Sequence, residues 1–248
     1  MLGLAAGTTP DPLELERSLL QRRCWLGEAL QAELKAVIAW AEPQADQSWP
    51  VGVGARAMLA LAWSWLSAAG DGAVRQQAAR AVDGGSMSLA RSGLAALQPW
   101  DCPERQHAST AFARRWRQRP VILDAWFGME ASAPFGDGIT RADALLEDPA
   151  FDPNAPNSLR AVLGGFGRCA EHFHRSDGRG YQWMAQQLVA VDQRNPIAAS
   201  RMLKLFMGWR RYSPERQQLM RSSLEWLAEN LTSPNSKEVV MLCLGAAE

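Results

Sequence analysis

The sequence predicts an all-α protein: an irregular α-solenoid, or helical superhelix, of paired antiparallel helices. Three observations carry this. Apolar residues recur at helical spacing almost throughout the 248 residues. A capping residue followed by proline recurs as a helix start. No segment sustains the apolar–polar alternation of a half-buried strand.

Asp11-Pro12 is the first such start, with Glu14 in the first turn. Leu15, Leu19, Leu26, Leu30, Leu34 and Ile38 then predict one helix to Trp40, stopped by Glu42-Pro43. Residues 43–54 read as a joint. Ala55 to Ala69 holds six alanines beside Trp63 and Trp65, the composition of a helix packed tightly between neighbours. Gly70, Gly84 and Gly85 mark helix ends, and Ser86 opens Met87 to Leu97. Asp101-Cys102-Pro103-Glu104 is a looser start. Val121-Ile122-Leu123 is the nearest approach to a strand, and it lies inside a helical pattern. The polar stretch Pro134 to Asn157 reads as connections around a short helix, Arg141 to Leu146. Asn157 then reads as the cap of Leu159 to Phe166, with Gly164-Gly165-Phe166-Gly167 as its closely packed end. Asn195-Pro196 opens a helix with the stripe Ala198, Met202, Leu205, Phe206 and Trp209. Ser213-Pro214 and Ser233-Pro234 open the last two. About a dozen short helices with short loops result. They form a single helical-repeat domain over residues 11–248, preceded by residues 1–10 as a disordered or added tail.

Composition narrows the function. Hydrophobic residues make up 47% and charged residues 21%, which excludes a disordered or fibrous chain. The 26 basic residues balance 26 acidic ones, so the footprint of a nucleic-acid binder is missing, as is that of a polybasic membrane-surface protein. Lys35, Lys204 and Lys237 are the only lysines; the remaining cations are arginine. Cys24, Cys102, Cys169 and Cys243 are far apart, without a CxxC pair, so reduced thiols in a cytoplasmic protein are expected. No apolar run reaches the roughly 20 residues of a membrane span, and residues 1–10 are too short and uncharged for a secretory signal.

Reaction chemistry is sparse. H-E-x-x-H, G-x-S-x-G and phosphate-binding glycine loops are absent. Cys169, His172 and His174 are the one cluster of metal-ligand types, but residues two apart on a helix point to opposite sides. Asp143 with Glu147 reads as a solvated helix face. Two arginines stand out by position. Arg160 follows the Asn157 start and Arg201 follows the Asn195 start, where helix N-termini already favour anions. A guanidinium there suits a carboxylate; a structural salt bridge or a solvated side chain is the alternative.

Several segments resemble bacterial aminopeptidase N, a zinc metallo-aminopeptidase family. Leu123-Asp124-Ala125-Trp126-Phe127 is similar to its DKWF helix, and Ala155-Pro156-Asn157-Ser158-Leu159-Arg160 to its N-P-N-R-I-R segment. Phe173-His174-Arg175-Ser176-Asp177-Gly178-Arg179-Gly180-Tyr181 is similar to its F-H-x-x-D-G-x-G-Y loop. Arg194-Asn195-Pro196 with Ala199-Ser200-Arg201 is similar to its R-N-P-x-x-A-S-R helix start, and Arg211-Tyr212, Arg216-Gln217 and Met220 follow in register. The likeness is specific from Pro99 to Leu231 and weaker from Asp11 to Leu97.

The resemblance implies the family's C-terminal helical domain, which closes the active-site chamber, controls access of short peptides and recognises their carboxylate. It implies no cofactor and no catalytic residue in this chain. Zinc is expected in a catalytic domain upstream in the same polypeptide, which would be the chain's partner, so the chain alone is expected to be inactive. Isolated, it is expected to self-associate through the face meant for that domain. Neither nucleic acid nor membrane is an expected partner. The resemblance puts Arg201 and Arg160 on chamber-facing family arginines. Ile197 stands where a polar residue such as glutamine can occur, and Glu130 where glutamine is common; His174 carries over as a loop residue. Arg201, Arg160, Ile197 and Asn157 are thus the candidate substrate-binding set. The alternative is a stand-alone helical-repeat scaffold that binds a peptide or protein without catalysis.

Overall fold

The structure, a computed structural model, describes residues 11–84 and 86–245. The expected tail over residues 1–10 and the predicted helix end at Gly85 lie outside the described residues. Among these residues the regular structure is entirely helical, with fourteen α-helices and short 3-10 turns. The all-α expectation is met, and Val121-Ile122-Leu123 lies within a helix.

Residues 17–129 form one compact unit, and residues 11–16 with 130–245 form another. The first unit holds most of α1 (Pro12–Ala29), then α2 (Gln31–Ala41), α3 (Val51–Ala68), α4 (Gly72–Asp83), α5 (Met87–Leu97), α6 (Pro103–Trp116) and most of α7 (Pro120–Ala131). The single long first helix is corrected to two. The chain leaves helical geometry at Leu30 (φ −110°, ψ 25°), where no glycine or proline announces a break. Gly27, three residues earlier, lies so close to α3 that a Cβ would meet the Trp65 carbonyl oxygen at 2.2 Å. The break after this contact lets α2 bury Leu34 and Ile38.

The α4–α5 pair is the most closely packed in this unit. Asp71 caps α4 by accepting from the Val74 amide, and Ser86 caps α5 by accepting from the Leu89 amide. Leu59, Leu66, Leu94, Leu97 and Phe112 fill the core. The alanine-rich α3 is, by length and hydropathy alone, capable of crossing a membrane, a candidate the sequence reading passed over. In the fold it buries Leu59, Trp63 and Leu66 among neighbouring helices.

The second unit holds α8 (Gly138–Leu146), α9 (Pro156–Arg168), α10 (Ala170–Phe173), α11 (Arg179–Asp192), α12 (Pro196–Leu203), α13 (Pro214–Asn230) and α14 (Pro234–Leu244). Asn195, Ser213 and Ser233 each cap the helix they were expected to open, with proline at the first helical position. Two expectations are corrected. Helix α9 starts one residue early: Ala155 is its N-cap and Pro156 its first residue, because proline's fixed φ already satisfies a helix start. Asn157 is therefore inside the helix. Helix α12 stops at Leu203 and continues as 3-10 turns over Lys204–Phe206 and Trp209–Arg211. Phe206 and Trp209 are still buried, and the Trp209 indole donates to the Cys243 carbonyl at 2.8 Å.

An aromatic cluster organises this unit. The Phe173 ring meets Tyr181 at 5.1 Å and Phe206 at 5.5 Å, both edge-on, and Phe166 meets Trp183 at 4.4 Å. The Trp183 indole donates to Asp143 at 2.7 Å, so Asp143 anchors α8 to α11 and is not part of a solvated carboxylate pair. Residues 11–16 are tied in by Arg216 with Asp11 at 3.3 Å and by the Ala170 amide donating to Glu16 at 3.1 Å.

Candidate functional site

Both arginines picked out in the sequence line one cavity of about 80 Å³ in the second unit. It lies between the starts of α9 and α12, walled by Pro156, Leu159, Arg160, Asn195, Ile197, Ala198, Arg201 and Met202. Each side chain has a local reason to be there. Asn195 accepts from the Ala198 amide at 3.0 Å and so fixes the start of α12. Ala198 and Met202 are buried one turn apart, which turns Ile197 and Arg201 outward along the rim. Ile197 is 57% exposed. Across the cavity, Arg160 donates through Nη2 to Asn157 Oδ1 at 2.8 Å. The carboxamide is thus used to steady the guanidinium and not to cap α9. Gly164 keeps this wall thin, since its Cβ would lie 3.5 Å from both Arg160 Cγ and Met202 Cε.

The electrostatics are lopsided. No acidic residue lines the cavity. Among the described residues Arg201 makes no hydrogen bond or ion pair, and the only partner of Arg160 is neutral. Two permanent charges therefore line a small cavity with an apolar floor of Leu159 and Met202 and no counter-charge. Such an arrangement attracts carboxylates, and a planar guanidinium grips them through two parallel hydrogen bonds. Asn157 reaches the site only through Arg160. Sequence spacing did not reveal that Leu159 and Met202 would form the floor.

The cysteine–histidine cluster is dispersed into separate structural roles. His172 Nε2 donates to the Ala133 carbonyl at 2.7 Å, and His174 Nδ1 shares a 2.7 Å hydrogen bond with the Tyr181 hydroxyl. Burial, reinforced by the Arg216 charge, holds His174 down to about 4. Burial and the Glu16 charge push the Cys169 thiol up to about 12, away from the thiolate a metal needs. Among the described residues no three His, Cys, Asp or Glu side chains could hold a metal together. Glu130 is buried, and its backbone carbonyl accepts from Arg141 at 3.5 Å.

A larger, shallower trough of about 450 Å³ lies in the first unit between α3 and α5, lined by Ala60, Ser64, Met87, Ser88, Arg91, Ser92, Ala95 and Ala96. Small residues on both helices leave the groove open. Nothing in its sequence pattern had marked it.

The fold defines the class: an all-α helical-repeat domain. The chain belongs to the family described as DUF3458_C, a domain of unknown function built of ARM repeats, whose model matches residues 3–245. The chain is similar to aminopeptidase N of Caulobacter vibrioides, 38% identical over 57% of this chain and 17% of that protein. It is also similar to aminopeptidase N of Escherichia coli strain K12, 31% identical over 59% of this chain and 17% of that protein. Its fold matches a crystal structure of Legionella pneumophila aminopeptidase A in complex with aspartic acid, with a TM-score of 0.86 at 23% identity. That match covers 98% of this chain and 30% of the other. The chain thus spans about a sixth of the length of the curated relatives, and the likeness is to the C-terminal helical domain of aminopeptidase N.

Proposed function

We propose that this chain serves as the chamber-closing C-terminal domain of a cytoplasmic zinc aminopeptidase, admitting short peptides and holding their carboxylate end. The zinc and the bond-breaking residues belong to a catalytic part of the longer polypeptide. The observation that carries the reading is the pair Arg160 and Arg201, which together line one cavity that no acid lines. Arg201, with its whole guanidinium edge unengaged, takes the peptide carboxylate. Ile197 and Met202 press against the aliphatic part of the last residue and exclude water, which strengthens the ion pair. Asn157 positions Arg160 and touches no substrate. Residues 11–248 act as one domain in this role; a single family model spanning both compact units supports that. Exposed Trp25, Trp40 and Trp49 in the first unit support cover by the remainder of the polypeptide, and self-association when it is missing.

The test is Arg201→Ala in the full-length enzyme that carries this domain. KM for dipeptides and tripeptides should rise about tenfold relative to KM for a chromogenic amino-acid amide, which has no carboxylate. An unchanged ratio overturns the carboxylate role.

A further inference from the structure

One carboxylate leaves this groove only half neutralised. Arg160 and Arg201 contribute two positive charges, and no acidic side chain lines the cavity. Like charges held around a small cavity repel each other, and the repulsion is relieved fully only by two negative charges. Leu159, Ile197 and Met202 add aliphatic lining to the same cavity. The complementary ligand is therefore two carboxylates separated by methylene groups.

We propose that the groove selects short peptides whose last residue is acidic, glutamate above all, with Arg201 on the α-carboxylate and Arg160 on the side-chain carboxylate. The inference rests on the peptide-carboxylate reading above and adds the class of peptide. The assignment of the two arginines follows from their partners. Arg201 has its whole fork available for a bidentate grip, whereas Arg160 has Nη2 engaged by Asn157 and offers the rest. The two methylenes of glutamate match the aliphatic floor, and the single methylene of aspartate covers less of it.

The experiment titrates the 248-residue chain with Ala-Ala-Glu, the neutral isostere Ala-Ala-Gln and Ala-Ala-Glu amide, following amide shifts at Ala198 by NMR at low salt. Ala-Ala-Glu should bind about three- to tenfold tighter than Ala-Ala-Gln, the range expected of one added, partly exposed ion pair. At 0.5 M NaCl the advantage should fall below about twofold. R160Q should abolish the preference, and R201Q should weaken both tripeptides but not the amide. R160K, which keeps the charge but not the fork, should retain part of the preference. Equal binding of the two tripeptides, still lost in R201Q, overturns the acidic-residue preference and leaves the carboxylate reading standing. No saturable shift with any of the three peptides overturns both.

Discussion

Asp192 carries a stability prediction that can be worked through in numbers. The residue is 1% exposed at the end of α11 and accepts hydrogen bonds from the backbone amides of Thr232 and Ser233 at 2.9 Å each, and from both their hydroxyls. It thereby pins the start of α14 to α11. Burial alone would push the carboxyl up, but the donors from Ser233, Ser236 and Thr232 together outweigh it and hold the group at about 2, against an ordinary 3.8. The folded value lies below the unfolded one, so the stabilisation is complete above about pH 5 and is lost as pH falls towards 2. Linkage puts it at about 2.5 kcal/mol at neutral pH and about 1.3 kcal/mol at pH 3. Asp192→Asn keeps the shape but turns an amide donor towards the Ser233 donors. The expected loss is about 2–3 kcal/mol at pH 7, shrinking by about 1.1 kcal/mol at pH 3. Urea unfolding of both proteins at the two pH values, followed by tryptophan fluorescence, reads this directly. Every other titrating group is common to both proteins and cancels in the comparison. A gap that changes by less than about 0.5 kcal/mol between pH 7 and pH 3 would refute the account of Asp192 as an ionised, buried cap.

Three further outcomes are expected. His174 is neutral and buried, held at about 4 against an ordinary 6.5. The unfolded chain therefore takes up the proton first, and about 3 kcal/mol of stability should drain away between pH 6.5 and pH 4; NMR titration of the His174 ring should show its midpoint near 4, and a midpoint above 6 would contradict its burial. Gly93→Ala places a Cβ 2.2 Å from the Ala78 carbonyl oxygen, on backbone that cannot swing aside, so the α4–α5 pair must separate. The cost should be about 2–3 kcal/mol, seen as a lowered Tm, and an unchanged Tm would mean that the two helices sit further apart. The 248-residue chain should release no p-nitroaniline from alanine p-nitroanilide even with added zinc, because no described cluster can hold the metal; measurable turnover that EDTA abolishes would overturn the division of labour.

Helix starts were the most legible part of the fold because their chemistry is local. Asn195, Ser213 and Ser233 each satisfy an orphan amide two or three residues ahead, and the following proline needs no partner for the amide hydrogen it lacks. Where a start was misplaced, a local competitor won. Asn157 is a good cap by type, but Pro156 had already begun the helix, and the freed carboxamide went to Arg160. The break at Leu30 and the 3-10 turns after Leu203 have no local signal, because they answer to tertiary packing: the approach of Gly27 to α3, and the Trp209 indole reaching Cys243 on α14. Asp143 was misread for the same reason, since its partner Trp183 lies on a different helix.

The candidate site divides along this line. Sequence spacing places Arg160 near one helix start and Arg201 near another, where the dipole would mildly favour an anion; in the structure α12 ends at Leu203, so Arg201 lies in its last turn and gains nothing from the dipole. A weak anion preference at each of two separate helix ends would define no ligand. The packing of α9 against α12 changes that by setting both guanidiniums on the rim of one cavity and supplying Leu159 and Met202 as a shared apolar floor. Specificity for a particular anion then arises from the spacing between the charges and from what lies between them, and neither exists until the helices pack. A sequence search for paired arginines near helix starts would find such residues in many helical proteins. What distinguishes this pair is that both side chains line one cavity without an acid, whereas Arg216 at the start of α13 is paired with Asp11.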